Sequence, residues 1–197
     1  MEVNAIDGGD RRFILVQLPD ASPAGSPAER AGFSKISDLT KERIRRAGAK
    51  IKQQTGLTSP NLDAGFRVLK IDSSNMRDVY YAPDAVDQRD LLAHVENIRP
   101  DRTPEDLLFQ MLVDWGLDLA LPVIDRLIAG KRVFFVDGNA LAACFEAGIN
   151  DDVVKEIARG KPLRAVFRDV SYGSDSVKIN VEQIFRLLSP ETEVRSI

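Results

Sequence analysis

Cysteine and histidine each occur once in this chain of 197 residues. Cys144, alone within the apolar stretch 140–145, excludes an intrachain disulfide and a thiolate cluster for zinc. A small buried hydrophobe is the plainer reading of it. With His94 as the only imidazole, a metal site would have to be built from carboxylates alone, and none is expected. No apolar run approaches the roughly 20 residues of a membrane span. The first residues have no apolar signal region, so a cytoplasmic protein without membrane contact is expected. Positive charge is not in excess either: the net charge is -3 and the pI near 5.3. A role on nucleic acid would therefore need a local patch or other parts of a larger protein. There is no Gly-rich phosphate loop of either common spacing, because Gly8 and Gly9 precede a strand-like run instead of joining a strand to a helix. No serine or cysteine has a base that the sequence places beside it, so no catalytic residue is assigned. Internal repeats and low-complexity tracts are absent.

What the chain does have is enough apolar content, 44% of residues, for one good core or two modest ones. In DGGDRRFILVQLPD, residues 7–20, the glycine pair feeds an apolar run that stops at Pro19. Phe13, Ile14, Leu15 and Val16 follow one another without a polar break, which predicts a strand over 12–18 covered on both faces. Such a strand, so near residue one and followed by a helix, reads as the middle of an α/β unit. Its site would be built partly from residues outside this chain, and the chain is read as a fragment. Residues 20–30, rich in Pro, Ala, Ser and Gly, predict a loop. From 36 to 52, Ile36, Leu39, Ile44, Ala47 and Ile51 recur at near-helical spacing, with Ser37 or Asp38 to cap and Gly56 beyond the end. Six basic residues face one acidic residue over 41–52. They make either a phosphate-facing strip or, more simply, a solvated outer face. Residues 65–71 predict a second strand, and strand, helix, strand predicts a parallel crossover. Asp72, Ser73, Ser74 and Asn75 would then lie where open α/β sheets bind ligands, or form a plain turn. The irregular stretch 76–87, with Tyr80, Tyr81 and Pro83, looks like a connection between domains 1–80 and 81–197.

The second half predicts a small α+β or α/β unit with its own core. A short helix is expected over 88–98 and a better one over 103–115, with Thr103 as cap, Pro104 in the first turn and Glu105 and Asp106 at the positive end of the dipole. Its apolar stripe, Leu107, Leu108, Met111, Leu112 and Trp115, is core material. Pro122 interrupts 117–128, so a loop and a short helix are expected there. Residues 132–136 and 140–145 flank Asp137, Gly138 and Asn139, the pattern of a β-hairpin. A helix over 151–158 capped by Asn150 or Asp151, a strand over 163–167, a helix over 177–188 and a closing strand over 193–197 complete the unit. The acids at 87, 90, 151 and 152 sit at helix starts, where capping explains them.

One binding site survives. In a doubly wound sheet that holds a nucleoside, the end of the second strand offers acidic or polar side chains to the ribose hydroxyls, and Gln17 and Asp20 lie at that place. The stretches DGGDRRFILVQLPD, ISDLTKERIRRAGAKI, GFRVLKIDSSN, RTPEDLLFQMLVDWGLDL and LRAVFRDVSYGSDSVKINVEQIFRLLSPETEVRSI together resemble the carboxyl-terminal part of the Mod subunit of type III restriction-modification systems. The resemblance implies a partial Rossmann-like methyltransferase sheet followed by a small α+β (α/β) carboxyl-terminal domain. It implies a DNA adenine-N6 methyltransferase that uses S-adenosylmethionine in the full-length protein and extrudes its target base. The family's D-P-P-Y loop and F-x-G-x-G loop have no counterpart in these 197 residues. No tightly bound cofactor and no activity are therefore expected of this chain alone. Residues 1–4 would correspond to the end of the helix after the glycine loop. Relatives often carry Glu where Gln17 stands, which leaves ribose recognition weaker or shared with Asp20. The helix around Lys41, Glu42, Arg43 and Ile44 matches one that packs behind that strand. The implied partners are double-stranded DNA in the full-length protein, a second Mod copy and the type III restriction (Res) subunit. Exposed apolar surface around the hairpin 134–145 is expected to serve assembly, unless those side chains simply fill the core. The rival readings are a stand-alone protein–protein interaction module without catalytic activity and a nonspecific DNA-binding domain using 41–52. The DNA-contacting residues are not assigned.

Overall fold

The computed structural model describes residues 1–55, 62–77, 97–169 and 175–197. It divides into two compact units, Met1–Leu69 and Lys70–Ile197.

The second unit is built on five strands: β1 (Val123–Ile128), β2 (Lys131–Val136), β3 (Leu141–Cys144), β4 (Arg164–Phe167) and β5 (Glu193–Ser196). They lie in sequence order. β1, β2 and β3 pair antiparallel, with Val123 opposite Val136 and Phe134 opposite Ala143. β3, β4 and β5 pair parallel, with Ala142 opposite Ala165 and Ala165 opposite Val194. The hairpin between β2 and β3 forms as its turn chemistry predicts: Asp137 and Gly138 take φ of 48° and 72°, the left-handed pair a tight hairpin needs. Parallel pairing requires crossovers, and two helices supply them. Helices α1 (Glu2–Asp7), α2 (Pro27–Arg30) and α3 (Ile36–Thr55) belong to the first unit, α4 (Pro104–Asp114) precedes the sheet, and α5 (Asp151–Arg159) and α6 (Asp175–Leu188) make the crossovers. The Asn150 side chain caps α5 by accepting from the Val153 amide at 3.0 Å.

Period-two alternation sends successive residues of β3 to opposite faces, and all four are buried. Ala142 and Cys144 join Val133, Ala165 and Phe167 against Val153, Val154 and Ile157 of α5 and Val181 and Phe185 of α6. Leu141 and Ala143 join Phe134, Val136 and Val166 against Leu107, Leu108, Met111 and Leu112 of α4. The result is helix, sheet, helix, with a core on each face. Each fully buried Leu or Val contributes roughly 1.5–3 kcal/mol of apolar burial. α4 is fixed at its start by a reciprocal cap: Thr103 Oγ accepts from the Asp106 amide while Asp106 accepts from the Thr103 amide at 2.8 Å. Cys144 is fully buried, and burial pushes its thiol pKa up, so it packs as the small hydrophobe expected.

Several sequence expectations are corrected. Over 117–128 the chain forms a loop and then β1, not a short helix, because Val123 to Ile128 find a ladder partner in β2. Neither 12–18, in the first unit, nor 65–71, which ends just past it, forms a strand, so the crossover around α3 is not built. Strand status depends on a hydrogen-bonding neighbour, and a continuous apolar run specifies burial without supplying that neighbour. Ile14 and Val16 are 91% and 92% exposed. The loop over 20–30 contains α2, a single turn capped by Ser26. α3 runs from Ile36 to Thr55, one residue before the proposed caps, so Ser37 and Asp38 lie inside its first turn. The connection over 76–87 and the helix over 88–98 fall largely outside the described residues, as do Gly56, Tyr80, Tyr81, Pro83 and His94. Their described ends meet: Met76 and Ile98 form an antiparallel bridge, and Ile98 is buried in the α4 core. No helix among the described residues is long and apolar enough to cross a membrane.

Candidate functional site

Gln17 and Asp20 both lie on the exposed extended segment that leads to α3. The Gln17 amide donates to the neighbouring Leu18 carbonyl at 3.2 Å. The Asp20 carbonyl accepts from the Ile36 amide at 3.0 Å, which ties the segment to the start of α3 and leaves the Asp20 carboxylate at the surface. A bridge between Ala21 and Lys35 closes the same loop. The two side chains are thus near one another in the chain, with no strand end beneath them to fix their direction.

The basic strip lies on α3. Three of its six cations are paired within the helix: Lys41 to Asp38 at 2.6 Å, and Arg45 and Arg46 to Glu42 at 3.7 and 2.8 Å. The Arg46 guanidinium holds the Glu42 carboxyl below its ordinary pKa. Arg45 also lies 5.9 Å from the Phe66 ring, and a groove of about 390 Å³ runs between Arg45, Lys52 and the segment around Ala64–Phe66. Gly48 is the one buried residue of this helix, where Ala64 passes across it.

The polar turn Asp72–Asn75 has the more organised surroundings. Asp72 accepts from the Ser73 amide at 2.7 Å, and this bond, aided by the Arg102 charge, lowers its pKa. Ser73 Oγ accepts from Arg99 Nη1 at 2.6 Å and from Arg102 Nη2 at 2.8 Å. Asn75 donates to the Asp106 carbonyl at 3.0 Å. The turn therefore docks on the residues that open α4. Sequence reasoning found the turn but missed the arginines: 26 and 29 residues separate them from Ser73, and the segments meet where Met76 and Ile98 form their bridge.

Around the hairpin, Phe134 and Phe145 are 3% exposed and Val136 and Leu141 fully buried. The expected exposed patch is instead core, because α4 covers that face. The exposed apolar side chains of the sheet are Ile124 and Leu127 on the edge strand β1. Trp115, at the end of α4, lies 5.4 Å from the Arg164 guanidinium and 5.1 Å from that of Arg195, contacts that the helical pattern alone did not reveal.

No family model matches the chain. Over 67 residues it is 39% identical to the Mod subunit of the type III restriction-modification enzyme StyLTI from Salmonella typhimurium, a stretch that covers 34% of this chain and 10% of that protein. The chain thus matches about a tenth of the length of this curated relative, and about a third of it is similar to that Mod subunit.

Proposed function

We propose that this chain is the carboxyl-terminal portion of a Mod-type DNA adenine-N6 methyltransferase. The first unit contributes to the S-adenosylmethionine domain and the second serves assembly. The observation that carries this reading is the 39% identity over 67 residues to the StyLTI Mod subunit, and the resemblance carried by the five sequence stretches points the same way. The exposed run from Phe13 to Leu18 fits too: it has the composition of a buried strand and, in this unit, no ladder. Within the complete enzyme that run would enter the cofactor-binding sheet, and Gln17 with Asp20 would then face the ribose hydroxyls of S-adenosylmethionine. The full protein would act on double-stranded DNA, pair with a second Mod copy and engage a restriction subunit. In these 197 residues no D-P-P-Y or F-x-G-x-G loop is present, so the chain alone transfers no methyl group and binds the cofactor weakly at best.

Calorimetric titration of the chain with S-adenosylmethionine tests the second half of this reading, and low-micromolar affinity would refute it. Adding a separately expressed polypeptide that carries the two missing loops tests the first half. Restored methylation of DNA adenine, lost again in Gln17→Ala with Asp20→Ala, is the expected result. The self-contained core of the second unit also suits an interaction module without catalysis, and failure of complementation together with retained partner binding would favour that alternative.

A further inference from the structure

The sheet of the second unit ends on β1 at one edge and β5 at the other, and among the described residues neither has a strand on its outer side. An open edge invites pairing with another chain unless charge, brevity or a bulge prevents it. On β5 the amides of Glu193 and Ile197 donate to the carbonyls of Leu163, just before β4, and Phe167, within it, each at 3.0 Å. Backbone groups alternate along a strand, so those of Val194 point away from β4. They have no partner among the described residues.

A second copy that adds its own β5 antiparallel, about a two-fold axis perpendicular to the sheet, keeps each face on its own side, so residues opposite one another share a face. Centred on Val194, this register sets Glu193 against Arg195 of the second copy and Arg195 against Glu193 of the second copy. The central pair exchanges two N–H···O=C bonds. The charged pairs on either side of it are non-hydrogen-bonded pairs, where side chains approach most closely, with Cα atoms about 4.5 Å apart. Opposite charges with one residue between them are therefore self-complementary here. β1 lacks this property: its opposite charges, Asp125 and Arg126, are adjacent, and an axis on either one sets like charge against like. Within one chain Glu193 is held only loosely, 3.3 Å from Arg164 Nε and 3.8 Å from Arg195 Nη2, and the Glu193 and Arg195 side chains are about half exposed. Arg195 also rests 5.1 Å from the Trp115 ring.

We propose that β5 is the docking edge for β5 of a second copy of this chain, paired antiparallel about Val194 with two symmetric Glu193–Arg195 contacts, so that the two five-stranded sheets become one. β5 thereby supplies the surface for the second copy included in the proposed function, and to that extent the assignment rests on that reading.

The test is sedimentation velocity of the intact chain over a range of concentrations. A reversible monomer–dimer equilibrium that weakens with added salt is expected. Glu193→Arg and Arg195→Glu should each raise the dimer dissociation constant about tenfold, since each sets like charges against one another at both flanking positions. Mixing the two variants should restore association as a heterodimer, because both crossings then join opposite charges, and that rescue also shows that the variants fold. Val194→Pro removes an N–H that no ladder bond among the described residues uses, and it should weaken association as well. Ile124→Lys on β1 should leave association unchanged. A chain that stays monomeric at every concentration overturns the assignment. So does a dimer indifferent to Glu193, Arg195 and Val194, or one broken by Ile124→Lys. None of these results alters the complementation of DNA methylation, so the docking edge and the methyltransferase reading fail separately.

Discussion

The two units contain the same kinds of apolar residue and use them differently. Every buried hydrophobic side chain of the described core lies at Ile98 or beyond, whereas the first unit exposes Phe13, Ile14, Leu15, Val16 and Leu18 in one run. In the second unit each apolar strand has a helix on either face, so alternation along β2, β3 and β4 becomes two filled cores. In the first, α3 buries only Gly48. The difference teaches that apolar content is a demand for a covering surface, and that the covering surface must come from somewhere. For the first unit, the proposed answer is the remainder of a methyltransferase domain.

The comparison breaks most visibly under truncation of large side chains. Leu112→Ala removes a fully buried side chain of α4 and should cost about 2–5 kcal/mol in urea unfolding followed by Trp115 fluorescence. Ile14→Ala, 91% exposed, should change stability by less than about 0.5 kcal/mol, read from hydrogen exchange in α3. If Ile14→Ala instead costs more than about 1 kcal/mol, the run is covered in solution and the contrast between the units disappears.

How far the sequence carried the reading follows the same division. The hairpin was legible because Asp137 and Gly138 encode their left-handed geometry locally, and α4 because Thr103, Pro104 and Asp106 encode its start. Asn150 marked α5 in the same way. Residues 12–18 and 65–71 were misread because strand character rests on a neighbour that local pattern does not contain. β1 was missed for the converse reason: after Pro122 its residues show a weak apolar pattern, with Ile124 and Leu127 facing solvent on the edge of the sheet. The contacts of Ser73 with Arg99 and Arg102 are a product of chain reversal through Met76 and Ile98, which no spacing rule anticipates.

A smaller effect is expected at the start of α4. Asp106→Ala removes half of the reciprocal cap and should cost about 1 kcal/mol at neutral pH. The Thr103 amide, and then its hydroxyl, hold the Asp106 carboxyl below its ordinary value of 3.8. A carboxyl whose folded pKa is depressed stabilises the fold above its unfolded value and loses that contribution as pH falls through the folded one. The gap between wild type and Asp106→Ala should therefore hold steady from neutral pH to about 4 and narrow below it. A gap that widens in acid would show that Asp106 is not held as the carboxylate. Smaller again is Arg132→Ala, which breaks contacts to Glu105 at 2.6 Å and Asp125 at 2.9 Å. All three groups are more than a third exposed, so the loss should stay below about 1 kcal/mol and shrink with added salt. A cost independent of salt would point instead to the stacking of Arg132 over Phe134, 4.6 Å away.

The finest probe sits where the first unit comes closest to having a core. A methyl group on Gly48 would stand 3.3 Å from both the Cβ and the carbonyl oxygen of Ala64, so the crossing segment must yield by a few tenths of an ångström to admit it. Against that stands the backbone freedom glycine loses in a helix, roughly 1 kcal/mol relative to alanine. Ala64 belongs to an extended stretch outside any ladder, and its neighbours Val68 and Leu69 are half exposed, so little packing resists the shift. Gly48→Ala should therefore stabilise α3 slightly, by up to about 1 kcal/mol, seen as slower amide exchange along the helix. Faster exchange would mean that Ala64 is held firmly against Gly48. The first unit would then possess a packed centre of its own, and its exposed run from Phe13 to Leu18 would need an explanation other than a missing sheet.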